Sequence, residues 1–388
     1  MKWIKKSFLV VIFLSGFAAC SSGNNSALIS HPVLVAVDST NDRLFIIENE
    51  RVFTALTAST RSEIGTEPLV NDDTNTTVQD LLPITPTNMA AITVGSTTRL
   101  FITGTQANSA GTQVTNQILV LDFDGTTLGA AAFSPITVDD GDTTTDETDD
   151  VLGGLRVDTT NSRLYVTDTS LATLFTYSTS DGTTAAASLA IAGSPNRMSL
   201  DGTHLYVANS SSTTSEEVIT VVSTADFSIT QIALNVPTND ISVLSNDTGT
   251  VMLAKQSNEQ KVLVETVDTS TFASSAAIAA GDTSVSAGFI DSTAGITGSV
   301  GQIILAKDSS GVLYGYCPQG DGNIEILTIS ADLSSFIGTE HDTSTSLLNG
   351  IDVYVDTSNI GQFVYMAATG TGDLVYNEVG STDIGATF

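Results

Sequence analysis

The stretch DDGDTTTDETDD, residues 139 to 150, sets seven carboxylates in twelve positions. Asp139, Asp140, Asp142, Asp146, Glu147, Asp149 and Asp150 are hard oxygen donors of the kind that hold Ca2+. An EF-hand loop needs a glycine six positions into a spaced aspartate series, and that spacing is missing here. Two readings stay open: an irregular calcium site, or a solvated acidic loop. Dense like-charge runs tend to the second, in which the segment is an acidic rim that attracts cationic partners.

Cationic chemistry is scarce, because the chain has 13 Lys and Arg against 43 Asp and Glu. Arg156 in LGGLRVD and Arg197 in SPNRMSL sit within short apolar runs. A guanidinium can take a carboxylate or a phosphate in bidentate fashion, or pair with the many acids around it. Asn88, Asn196, Asn239 and Asn349 recur at one place ahead of such runs, with Pro86, Pro195 and Pro237 just before three of them. They read either as a ring of amides for a ligand or as loop-to-strand turn chemistry. Arg43, Arg99 and Arg163 recur before other apolar runs, which suggests a structural role at the surface.

Other catalytic signatures do not assemble. His31, His204 and His341 form no local cluster that would suggest zinc or a triad. No Gly-x-Ser-x-Gly elbow, phosphate loop or dinucleotide fingerprint occurs. Cys317, in YGYCPQGDG, has no activating histidine beside it and reads as a small buried apolar residue.

The first residues say where the chain works. Lys2, Lys5 and Lys6 precede an apolar run from Phe8 to Phe17 broken only by Ser15 and Gly16, then Ala18-Ala19-Cys20. A basic start, a short apolar segment and small residues mark a cleaved signal, too short for comfortable membrane spanning. The Phe17-Ala-Ala-Cys20 ending resembles a bacterial lipobox, which implies lipidation of Cys20, and Ser21 implies outer-membrane sorting. Leucine is more usual where Phe17 stands, and a soluble periplasmic product is the alternative. Residues 1–19 are thus predicted as signal, 20–27 as a tether and 28–388 as the folded domain.

With Cys20 lipidated, Cys317 has no disulfide partner. Loss of three lysines takes the formal charge from −30 to −33. That field repels nucleic acid and suits divalent cations, cationic proteins or a saline medium.

The rest of the chain is built of repeated short strands. LVAVDSTNDRLFI, MAAITVGSTTRLFI, LGGLRVDTTNSRLYV, NRMSLDGTHLYVAN, DISVLSNDTGTVMLA, AGFIDSTAGITGSVGQIILA and GIDVYVDTSNIGQFVYMA each give an apolar strand, a polar turn and a second strand. Third strands follow, as in RVFTALTA and QILVLDF, and GVLYGYC is assigned as the third strand of unit six, with IEILTIS as its fourth. Sheet units recurring every ~40–50 residues predict an all-β protein, a seven-bladed β-propeller of mostly four-stranded antiparallel blades. In such a ring the first strand of each unit lines a central channel. Ring closure is expected to pair an N-terminal strand with the last blade.

SPNRMSLDGTHLYVANS resembles the YVTN family of seven-bladed propeller repeats, with NSRLYVTDTS a weaker copy. The resemblance implies the fold and no single activity, because propellers host binding proteins and enzymes alike. Two functions are therefore expected: a membrane-anchored cell-envelope scaffold binding cationic or envelope protein partners, or a lactonase-like hydrolase or lyase with a divalent metal at the channel mouth. Three or four converging carboxylate or histidine ligands in the channel would favour the enzyme.

Overall fold

A computed structural model describes residues 32–48, 52–68, 84–107, 113–114, 116–138, 151–211, 217–234, 236–257, 261–280, 289–290, 300–343, 348–356, 358, 360–368, 373–381 and 383–387. The β-branched runs form strands throughout, gathered into seven antiparallel sheets that follow one another along the chain. These are the seven blades of a β-propeller. Their innermost strands are Pro32–Asp38, Thr85–Val94, Leu152–Asp158, Pro195–Leu200, Thr238–Ser245, Ile304–Lys307 and Leu348–Val355. Residues 1–27, where a signal and tether are expected from sequence, and the acidic stretch 139–150 lie outside the described residues.

A single blade cannot cover its own two faces, so the core is divided among the blade interfaces. Seven apolar clusters result, one for each interface. Phe45 and Phe53 of blade one meet Leu100 and Phe123 of blade two. Tyr206 and Ile219 of blade four meet Met252 and Leu263 of blade five. Leu44, Ile46 and Leu56 of blade one meet Tyr365 and Leu374 of blade seven, which closes the circle.

Many of the acids prove to be turn caps. In six blades an Asp or Asn ends the innermost strand, or lies just after it, and accepts backbone N–H groups two to four residues on. Asp158 takes Thr160 and Asn161, Asp201 takes Thr203 and His204, and Asp308 takes Ser310 and Val312. Asp38, Asn246 and Asp356 do the same. Asp124, Asp181, Asp226, Asp268 and Asp332 cap turns between third and outer strands. A carboxylate at such a turn offers the backbone an acceptor where the ladder has ended. Much of the acidic composition is therefore local folding chemistry.

Three expectations need correction. The GQIILA segment is not a second strand: Ile304–Lys307 pairs only with Leu313–Pro318 and leaves its other edge to the channel, so it is the innermost strand of blade six. GVLYGYC and IEILTIS accordingly supply the second and third strands, and Ser335–Asp342 the fourth. Ring closure among the described residues uses no exchanged strand. Blade one is built from Pro32–Asp38 outward and blade seven ends on Ile384–Thr387, each from its own consecutive strands. The two blades are joined instead by side chains: Asp352 Oδ2 accepts the Val37 N–H at 2.8 Å, Ser39 Oγ accepts the Val355 N–H at 3.0 Å, and the Tyr365 hydroxyl donates to the Ala58 carbonyl.

The third correction concerns the place of the repeated arginines: their role is structural, but it lies between blades rather than at the open surface. Arg99 is 9 % exposed; it pairs with Asp122 of its own blade at 2.7 Å and donates to the Thr179 and Ser180 carbonyls of blade three. Arg43 donates to Thr98, Phe123 and Ser96 of blade two, and Arg163 to the Thr224 carbonyl of blade four.

Candidate functional site: the central channel

Strand register fixes which positions of the innermost strands correspond from blade to blade. Pairing with the second strands sets Ala36 opposite Phe45, Ala90 opposite Phe101, Arg156 opposite Tyr165 and Ser199 opposite Tyr206. Ser242 lies opposite Leu253, Ile304 opposite Tyr316 and Asp352 opposite Tyr365. These seven positions form one ring. Two residues earlier on each strand, Leu34, Asn88, Gly154, Arg197, Asp240, Gln302 and Gly350 form a second set of equivalent positions, with Gly154, Arg197 and Gly350 at points where the register shifts. A cavity of about 690 Å³ occupies the channel between the innermost strands.

An innermost strand has no neighbour on its channel side, so its edge N–H groups need acceptors from elsewhere. From blade four round to blade one, ring side chains reach to the following blade and supply them. Ser199 Oγ accepts the Val243 N–H at 2.9 Å, and Ser242 Oγ accepts the Leu305 N–H at 2.8 Å. Asp240 Oδ2 accepts the Ile303 N–H at 2.9 Å, and Gln302 Oε1 the Ile351 N–H at 3.3 Å. Asp352 completes the series through Val37. The second oxygens are also engaged, Asp240 Oδ1 by the Ile241 N–H and Asp352 Oδ1 by the Val353 N–H, each at 2.9 Å.

These acids share the channel with the two arginines. Burial pushes the Asp352 carboxyl upward from its ordinary pKa, opposed by the Arg156 charge and the two N–H groups. Burial likewise raises Asp240, opposed by Arg197, by the Ile303 N–H and by Lys255. Arg197 is pushed down by burial and held up by Asp240. Lys255 behaves similarly, and its Nζ donates to the Gly301 carbonyl at 3.1 Å. Arg156 differs: it is exposed to the channel, and among the described residues its guanidinium makes no hydrogen bond and no ion pair.

Of the residues expected from sequence, Asn88, Arg156 and Arg197 line the cavity, whereas Asn196 and Asn239 do not. Asn88 is 7 % exposed and its amide nitrogen donates to the Gly153 carbonyl of blade three at 3.0 Å, so it acts as an inter-blade tie. The Asn196 carbonyl accepts the Thr167 hydroxyl at 2.9 Å. There the backbones of blades three and four come so close that a Cβ on Gly154 would strike that carbonyl. Asn239 Oδ1 is buried without a hydrogen bond among the described residues. Asn349 lies on the innermost strand of blade seven. The seven acids of residues 139–150 lie outside the described residues. Among the described residues no three His, Cys, Asp or Glu side chains converge as metal ligands.

Asp240, Asp352, Ser199, Ser242 and Gln302 were not singled out from sequence. Ser199 lies two residues from Arg197 and Asp240 directly follows Asn239, whereas Gln302 has no expected residue near it in the sequence.

No family model matches the sequence, and no curated protein is similar to it at a significant level. Similarity appears at the level of three-dimensional structure. The structure titled "Structure of U3-55K" superposes with a TM-score of 0.55 at 9% identity, covering 88% of each chain. "Streptogramin B lyase structure" superposes with a TM-score of 0.54 at 12% identity, covering 90% of this chain and 94% of the other. At such identities the likeness is one of fold, the seven-bladed β-propeller.

Proposed function

We propose that the protein is a cell-envelope binding and assembly scaffold, tethered to the outer membrane through a lipid on Cys20 and built from degenerate YVTN-type repeats. One observation carries the preference for binding over metal-dependent catalysis. Both carboxylates of the channel rings, Asp240 and Asp352, give both oxygens to backbone N–H groups, and so hold the ring together. A carboxylate committed in this way is poorly placed to become a metal ligand or a general base. The strongly negative surface favours a cationic protein partner, by steering and by complementarity. The acidic run 139–150 belongs to the same acidic surface in this reading.

The test has three arms. Full-length chain should fractionate with membranes, and Cys20→Ala should release it or leave an unprocessed precursor; an unchanged distribution and mature mass would remove the anchor. Lactone and ester panels with Mg2+, Mn2+ or Ca2+ should give no metal-dependent turnover; turnover abolished by a chelator would replace the scaffold with the lactonase-like alternative. Melting at fixed ionic strength should be the same with calcium and with chelator. A calcium-specific rise that disappears when Asp139, Asp142, Asp146 and Asp149 become Asn would establish a metal site in the acidic run.

A further inference from the structure

The inter-blade acceptors stop part-way round the ring. Val37, Leu305 and Val243 each follow a ring residue in their own strand, and each gives its N–H to the ring side chain of the preceding blade. Ala91, Val157 and Leu200 are the same register positions in blades two, three and four. The ring residues of the blades before them are Ala36, Ala90 and Arg156. Two of these carry no acceptor, and the third is itself a donor. Among the described residues no side chain accepts from these three N–H groups. One sector of the channel therefore presents a run of backbone donors together with the Arg156 guanidinium, while in the opposite sector the corresponding N–H groups of Val243, Leu305, Val353 and Val37 have side-chain acceptors.

We propose that this sector, the channel wall of blades two to four, is a binding site for an oxyanion group, carboxylate or phosphate, of a small ligand. The anion sits against Arg156 and the Leu200 N–H, with the Val157 and Ala91 donors beside them. An oxyanion offers several lone pairs at once, which is what a set of donors without acceptors requires, and the charge-assisted bond to guanidinium is the strong member. The overall negative charge does not forbid this, because exposed charges are screened beyond ~8–10 Å at ordinary ionic strength. The cavity leaves room for the body of a small molecule.

The site rests on reading the channel as a binding feature, and the test separates the two. Succinate and inorganic phosphate are titrated into the full-length chain at constant ionic strength, with chloride as control, and followed by calorimetry and backbone amide shifts. At least one probe is expected to bind saturably at one site, moving the Ala91, Val157 and Leu200 amides; the ratio of the two affinities tells carboxylate from phosphate. Arg156→Gln should weaken that binding about tenfold or more while keeping the wild-type melting temperature within a few degrees. Ala90→Ser places at this ring position the hydroxyl found at Ser199 and Ser242. It should weaken binding several-fold and raise the melting temperature by supplying the Val157 N–H with an acceptor. No saturable binding of either probe, or binding that Arg156→Gln leaves unchanged, overturns the oxyanion site. The scaffold reading would survive either result, since its own tests are membrane fractionation, metal-dependent turnover and calcium-dependent melting.

Discussion

The Asp352 carboxylate of blade seven accepts a 2.8 Å hydrogen bond from the Val37 N–H of blade one, across 315 residues of sequence. No strand crosses this junction among the described residues, so this contact, the Ser39–Val355 and Tyr365–Ala58 hydrogen bonds and the apolar cluster around Tyr365 carry the closure. Asp352→Ala leaves the Val37 and Val353 N–H groups without their acceptors. The expected loss is about 2–3 kcal/mol in urea denaturation, with Asp352→Asn between it and wild type because one carbonyl oxygen remains. An Ala variant as stable as wild type would show that the remaining ties and the packing close the ring without Asp352.

Arg99 makes the corresponding junction between blades two and three. Its guanidinium is held by both oxygens of Asp122, spans two carbonyls of blade three and lies 4.8 Å from the Phe133 ring centroid. A lysine ammonium cannot reproduce the planar fork. Arg99→Lys is therefore expected to cost about 1–2 kcal/mol and Arg99→Ala about 2–3 kcal/mol, both read from chemical denaturation. Equal stability of the Lys variant would mean that charge alone suffices.

These two residues show what the sequence made legible. Seven units, β class and channel-facing first strands followed from spacing and turn residues that are local in the chain. The Arg99 position was visible as a repeat, but its partners at Thr179 and Ser180 are 80 and 81 residues away and belong to another blade. Asp352 was invisible for the same reason: nothing near it in sequence shows that Val37 will lie beside it. Blade six was shifted by one strand because its first strand has only four residues, Ile304–Lys307, and reads as a continuation of the loop before it. Apolar period alone does not tell an innermost strand from the next one out.

The turn caps set the response to acid. Asp226 is drawn down to about 2 by hydrogen bonds from the Ser223 side chain and from the Ser228 N–H and hydroxyl. A carboxyl lowered in the folded state contributes stability that is present above its ordinary value of 3.8 and is lost as pH falls through about 2. Asp226→Ala should melt below wild type at pH 5, and the gap should narrow as pH falls to about 2. Asp226→Asn, which keeps the side-chain acceptor, should lack that pH dependence. A gap that stays constant from pH 5 to 2 would place the effect elsewhere than the carboxylate.

Glu325 sets the opposite response, in the interior of blade six. It is 1 % exposed, and its Oε2 has no hydrogen-bond partner among the described residues. It faces Cys317 on one neighbouring strand and Glu340 on the other, and the missing Cβ of Gly338 leaves space for its Oε1. Burial, reinforced by the Glu340 charge, pushes its carboxyl up to about 8. A carboxyl raised in the folded state contributes stability that is complete below the unfolded value, here 4.5, and is lost as pH rises through about 8. The wild type should therefore weaken between pH 5 and pH 9. Glu325→Gln is neutral at every pH and fills nearly the same volume. It should match wild type at pH 5 and exceed it at pH 9 by a few kcal/mol, on the order of 1.4 kcal/mol for each unit of pKa displacement. Urea denaturation of both proteins at the two pH values reads the difference directly. Parallel pH profiles for the two would mean that Glu325 finds a partner for its charge, and that the interior of blade six is wetter than its burial indicates.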